Sequence, residues 1–401
     1  MPVLPNYHQF DGCHWETGTV RNYFDYRGVK APHTGKPYSE ALLLGVSGGA
    51  VMGYFVFAYE GVDPQARILT RNTFDPFETM LQRLGVVQEL RHTANPAKAV
   101  QNLLDALEDG TPALVWVDML GLPYEHQNQA EGVWLMFPVL VYGYDAAADR
   151  VYIADRARVP LSTTTGQLAD LRARVKNVKN RVLTLDIPDP EKLPAAVQAG
   201  IWDCITLYTE KPPKGARHNF GLAAYRKWAE MLTCPNKKGS WAKEFPPGPK
   251  LYAGLTWAFW DINIFGKGGQ AERDVYADFL DEAALILRKA GLRDVARQFR
   301  VSAAAWDDLS RALLPDWSPP LAETRELMLR QHRLFLEGGT ASLDERQAIG
   351  QQLKVLRGQM ADDFPLSEAE TTRLQEAIAE QVLRIHDIEA AAIEDLKGAM
   401  G

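Results

Sequence analysis

The 401-residue chain predicts an α+β first half with an antiparallel sheet, then an all-α region and a helical tail. Three observations lead there. Helical periods come first, and three strand-like runs then follow closely, "TPALVWVDM", "PVLVYGYD" and "RVYIADR". The Pro- and Asp-rich break "DIPDPEKLP" changes the composition, and the periodic segments after it are mostly helical. A second break, "PDWSPP", precedes two or three long amphipathic helices. The expected boundaries are 1–190, 191–316 and 317–401.

Each element has its own local reason. "ETGTVRNYFDYRG" reads as a helix with Val20, Tyr23 and Phe24 on one side, stopped by Gly28, with Thr17 or Glu16 as its cap. "PYSEALLLGVSGGAVMGYFVFAY" reads as a short apolar helix, a Gly-rich turn and a strand of aromatic and β-branched residues. "NTFDPFETMLQRLG" is a helix with Asp75 near its start and Gly85 at its end, and "NPAKAVQNLLDALEDG" is another, capped by Asn95 with Pro96 at the first helical position. After the first break, "LPAAVQAGIWDCITLYTE", "NFGLAAYRKWAEMLT", "LYAGLTWAFWDINIF" and "ERDVYADFLDEAALILRKAG" are helical. The tail segment "SEAETTRLQEAIAEQVLRIHDIEAAAIEDLKGAM" interleaves apolar positions with charges. Such a face must be buried, and a homodimer or packing back on the middle helices would each bury it.

Composition excludes several classes of function. Hydrophobic content of 46% with 24% charged residues is that of a soluble globular protein. A net charge of −7 argues against a nucleic-acid partner held by phosphate neutralisation. No run of about 18 apolar residues exists, and the start lacks a basic region followed by an apolar stretch, so neither a membrane span nor a signal peptide is expected. Three cysteines, Cys13, Cys204 and Cys234, are too few for a disulfide framework and lack zinc spacing. The expectation is a cytoplasmic protein without metal or cofactor. Ten tryptophans and 14 tyrosines are unusual, since such side chains line pockets as well as cores.

The candidate chemistry starts at "DGCHWETGTVRN". Cys13 lies near a helix N-terminus, where a thiolate is stabilised. Its neighbour His14 points in a different direction, so a base must come from elsewhere. His126, in "LPYEHQNQAEG" after the strand ending at Asp118, is the best-placed candidate, although a lone thiol and an unplaced histidine are more often structural. Asp155, in "YIADRAR", could orient a histidine, but an aspartate beside arginines is at least as often a salt-bridged strand end. Asp118, Glu125 and His126 lack the recurrence of a metal site. Ser47 in "GVSGGA" lacks the strand-before, helix-after order of a nucleophile elbow. "IFGKGGQAERDVY" lacks the Ser or Thr that a P-loop needs after its Lys.

Taken together, "HWETGTVRN", "SEALLLGVSGGAVMGYF", "NTFDPFETMLQRLG", "VWVDMLGLPY", "VLVYGYD" and "VYIADR" resemble the butirosin biosynthesis protein H family. "NFGLAAYRKWAEMLT", "KKGSW" and "IFGKGGQAERDVYADFLDEAA" resemble the helical domain that accompanies it. The resemblance covers about Asn6 to Leu314. It implies a papain-like N-terminal domain and transfer of an acyl group from a carrier-protein thioester to an amine. It also implies a Cys nucleophile, a His base and an Asp that orients the His. The family's His-Cys pair falls on His14–Trp15, its base on or near Phe137, and its orienting acid on Asp155. A tryptophan cannot accept an acyl group and a phenylalanine cannot move a proton.

Three readings follow. The first is an acyltransferase rescued by Cys13 and His126. The second is a repurposed pocket doing non-covalent acid–base chemistry with His14, Glu16, Asp118, Tyr124, His126 and Asp155 against an aromatic wall of Trp15, Trp134 and Phe137. The third is an inactive ligand-binding or scaffold protein. The partners expected are a small-molecule or acyl-thioester ligand and an acyl carrier protein. If Trp15 and Phe137 pack together where nucleophile and base belong, the first reading fails.

Overall fold

A computed structural model of the chain describes residues 2–59, 61, 63–125, 135–210, 212–265 and 269–401. It is a mixed α+β structure with a helical C-terminal region, as the order of periods predicts. The strands, in chain order, are β1 (Ala50–Phe57), β2 (Gln65–Arg71), β3 (Gln88–Arg91), β4 (Ala113–Asp118), β5 (Met136–Asp145), β6 (Arg150–Ala154), β7 (Leu161–Thr163) and β8 (Val182–Leu185). The chain divides into two compact units. The first comprises 1–43, 81–192 and 331–348, and the second comprises 44–80, 193–330 and 349–401.

The first unit is built on a six-stranded antiparallel sheet of order β3-β8-β4-β5-β6-β7. In β5, Pro138 to Tyr144 are buried without a break, so both faces of this central strand are covered. The helix Pro96–Glu108 packs against β4, β5 and β8, and Thr165–Ala173 packs against β4 and β6. Each starts on a side-chain cap: Asn95 accepts from the Lys98 N–H at 3.0 Å, and Thr164 forms a capping box with Gln167. The helix Thr17–Tyr26 lies against β5, and its Tyr23 hydroxyl closes the end of β8 by bonding Leu185 O at 2.9 Å and accepting from Leu185 N at 2.7 Å.

The second unit combines the hairpin β1–β2 with a helical array. Helix Gly221–Thr233 packs on β1 and Pro249–Asn263 on β2. The last helix, Glu368–Met400, opens with a Ser367–Glu370 capping box and packs along Leu292–Leu313 and Gly221–Thr233. Its apolar stripe runs through Leu374, Ile378, Val382, Ile385, Ala392, Ile393 and Leu396, so this part of the tail packs back on the middle helices.

One position of that stripe is charged. Glu389 is fully buried and accepts from Arg273 Nε at 2.8 Å, Ser302 Oγ at 2.6 Å and Trp306 Nε1 at 3.0 Å on one oxygen. Its other oxygen accepts from the hydroxyls of Tyr208 and Tyr225 at 2.6 and 2.5 Å. Burial alone would raise this carboxyl, but Arg273 and the hydroxyl donors outweigh it and hold Glu389 below its ordinary value. Replacing the carboxylate by an amide, Glu389→Gln, leaves Arg273 as a buried cation without its counter-ion. We expect this to cost about 3–5 kcal/mol, read as a lower midpoint in urea unfolding followed by circular dichroism.

Candidate functional site

The segment 11–16 is folded back on the helix that follows it. A Cβ on Gly18 would lie 2.7 Å from Cys13 N, and one on Gly12 would lie 2.3 Å from Gly18 O, so the two backbones meet only because both residues are glycine. Asn22 Oδ1 accepts from Gly12 N at 3.0 Å, and the Glu40 carboxylate accepts from Cys13 N at 2.8 Å and from Thr17 Oγ1 at 2.9 Å. Thr19 Oγ1 donates to Trp15 O. Neither Glu16 nor Thr17 caps the helix with its side chain, a departure from expectation, because Glu40 takes the Thr17 hydroxyl.

These restraints set where each candidate points. The Cys13 thiol faces Asp11 O at 3.6 Å, four residues before the first helical residue, Thr17. His14 Nδ1 accepts from Glu16 N at 3.2 Å, so that nitrogen serves the local backbone. Trp15 is directed inward, 1% exposed, and stacks on Phe137 of β5 with ring centroids 4.6 Å apart and planes 22° from parallel. Phe137 is held opposite Val117 in the β4–β5 register.

Asp155 follows the last residue of β6 and joins the same cluster through its neighbour. The Arg156 guanidinium lies 4.4 Å from the Trp15 ring centroid and 5.1 Å from that of Phe335. It pairs with Glu125 and donates from Nε to Asp155 Oδ1 at 3.3 Å. Tyr124 donates its hydroxyl to Asp155 Oδ2 at 3.4 Å, and its ring stacks near Phe335 at 6.5 Å. Arg346 donates to Tyr124 O at 2.6 Å and lies 5.3 Å from the Phe335 ring centroid. Asp155 is thus a salt-bridged strand end, one of the two readings its sequence allows.

Asp118 is also fully buried, with a different task. Its Oδ1 accepts from Leu120 N at 3.3 Å and Leu135 N at 3.1 Å, and Oδ2 lies 3.6 Å from Arg174 Nε. Two of these partners tie the ends of the loop after β4 to one carboxylate. His126 and Trp134 lie outside the described residues. Among the described residues no group of three or more His, Cys, Asp or Glu side chains is arranged to hold a metal ion, and no helix is long and apolar enough to cross a membrane. None of the three cysteines forms a disulfide.

Burial dominates the electrostatics of the cluster. It pushes the Asp155 carboxyl from 3.8 up to about 7, against the opposing effect of the Arg156 N–H and the Tyr124 hydroxyl. It pulls the Arg156 guanidinium down to about 9 and that of Arg346 to about 10, and it drives Tyr124 well above its usual value. A carboxyl raised on folding binds more protons in the folded than in the unfolded state between about pH 4 and pH 7, so its contribution to stability is lost as pH rises through that window. Asp155→Asn removes this loss. The melting midpoint of the native protein should fall relative to that of the variant between about pH 4 and pH 7 and hold a constant offset above, as differential scanning calorimetry can read.

The sequence profile described as butirosin biosynthesis protein H, N-terminal, matches residues 14–156, a span that begins beside Trp15 and ends at Arg156. The domain of unknown function DUF4872 matches residues 167–318. No curated protein matches the chain. Residues 14–156 therefore form a butirosin biosynthesis protein H-like, papain-like N-terminal domain, and the helical region matched by DUF4872 follows it.

Proposed function

We propose that this chain is an acyltransferase-like protein of specialised metabolism in which the thiol-dependent transfer step has been lost, leaving a ligand-binding role. The observation that supports this reading is the Trp15–Phe137 stack at 4.6 Å, at the positions where the family resemblance puts nucleophile and base. Covalent acyl transfer needs a nucleophile and a proton acceptor within hydrogen-bond reach, and neither an indole nor a phenyl ring supplies one. Arg156, set 4.4 Å from the same indole and paired with two carboxylates, adds a second layer of filling side chains. Cys13 offers a poor substitute. A shift of two residues displaces a side chain by several ångströms, whereas covalent catalysis depends on placement to about 0.5 Å.

A second reading, non-covalent acid–base chemistry on a small molecule, draws on one feature. Asp155, raised to about 7 and 3.4 Å from the Tyr124 hydroxyl, has the pKa of a group able to exchange protons near neutrality. Its partners are side chains of the same cluster, which favours the binding role over this one.

Mass spectrometry of the intact protein after incubation with acyl thioesters and primary amines separates the readings. Under the binding role, no mass increment appears on the protein and no amide forms, while a bound thioester or amine raises the melting midpoint. An acyl adduct on Cys13, lost in Cys13→Ser, would overturn the proposal. Turnover without an adduct, abolished by Asp155→Asn, would instead establish the acid–base reading.

A further inference from the structure

In a chain of net charge −7, residues 211–243 carry eight lysines and arginines against one acid, Glu230. The described part of this segment lines a concave cleft of about 590 Å³ in the second unit, with His218, Arg226, Lys227, Lys237 and Lys238 around it and Glu230 within. A smaller hollow of about 210 Å³ shares Lys227, Met231 and Lys238 with that cleft and adds Tyr54 and Phe55 of β1 and the side of Asn219. The two hollows adjoin along these shared residues, the larger lined mainly by basic side chains and the smaller reaching Phe55. A volume of this order lies within the range of small-molecule sites.

The charges in these hollows are unequally matched. Glu230 pairs with Lys237, which leaves Arg226, Lys227 and Lys238 as cations that Glu230 does not neutralise. Lys227 is the most informative of them. It is half-buried, its ammonium donates to the neutral Asn219 Oδ1, and it lies 6.0 Å from the Tyr54 ring centroid. Partial burial lowers its pKa, the cost of holding a cation away from water beside neutral partners. An anion placed beside it would reverse that cost. One carboxylate would leave excess positive charge, whereas a phosphate ester or diphosphate presents several acceptor oxygens and more than one negative charge.

We propose that these adjoining hollows form a binding site for a phosphate-bearing small molecule, its anionic group held by Arg226, Lys227 and Lys238 and its organic part directed toward Phe55. The site is separate from the Trp15–Phe137 cluster, and it stands or falls independently of the binding role proposed there.

The test is isothermal titration of the full chain with inorganic pyrophosphate at constant ionic strength. We expect one saturable site. The double variant Lys227→Gln/Lys238→Gln should weaken it by about tenfold or more, as loss of two charge-assisted contacts requires, while Lys354→Gln, at an exposed position on Leu343–Asp362, should leave it within about twofold. Arg226→Gln alone serves as the reporter if the double variant fails to fold, with an expected loss of about threefold to tenfold. Saturable binding that is unchanged in these variants, or no saturable binding at millimolar pyrophosphate, would overturn the site.

Discussion

The Trp15 cluster of the first unit is organised around one buried cation, Arg156. Its guanidinium meets two aromatic rings, Trp15 and Phe335, and two carboxylates, Asp155 and Glu125. Such a contact is worth about 2 kcal/mol where water is excluded, and removing a cation from buried carboxylates costs several kcal/mol more. Every other element of the cluster is set by that constraint. Phe137 backs the Trp15 ring, Tyr124 supplies a hydrogen to Asp155, and Arg346 closes on the Tyr124 carbonyl. A nucleophile and a base need open space between them for a reacting carbonyl. On the proposed reading, an indole, a phenyl ring and a guanidinium occupy that place instead.

The second unit solves a related problem with a different balance. Arg273 and Glu389 are both inaccessible to solvent, yet every strong acceptor and donor position has a partner, from Tyr208 and Tyr225 to Ser302, Trp306 and the backbone oxygens of Val51 and Thr70. A buried pair of this kind contributes less net stability than apolar residues of the same size, but it tolerates only one arrangement of the helices that supply its partners. Glu389 lies beyond residues 167–318, so the helical region recognised by its profile takes its central counter-ion from outside its own span.

Local signals were legible in the sequence and long-range ones were not. The helix after Glu16, the Asn95 cap, and the strands of "ALVWVD", "MFPVLVYGYD" and "RVYIA" all follow from residues close in the chain. β2, β3, β7 and β8 escaped, since "QARILTR" and "QELR" have too few apolar residues to show alternation and the others are three or four residues long. Trp15, Phe137 and Asp155 were singled out by motif; Trp15 stacks on Phe137, and Arg156 links Asp155 to the Trp15 ring. Arg156 had a signal, the charge directly after Asp155, but nothing marked it as a cation between aromatic rings. Phe335 and Arg346 had none, for they sit in an amphipathic tail whose pattern reports only that one face is buried. Glu389 stands at an apolar position of a helical stripe, a local conflict that marks a specific buried network.

Arg346 donates to the carbonyl of Tyr124 across 222 residues of sequence, and Phe335 comes almost as late. At roughly 5–20 residues per second, a ribosome needs about 10–45 s to make the intervening chain. During that interval the nascent first unit can pair its strands and stack Trp15 on Phe137, but it has no lid for Arg156 and no donor for the Tyr124 carbonyl. The core of the first unit is finished only once residues 331–348 have been made. Its half-made form therefore presents aromatic and charged surface to chaperones during that interval, and residues 331–348 complete a unit begun some 300 residues earlier.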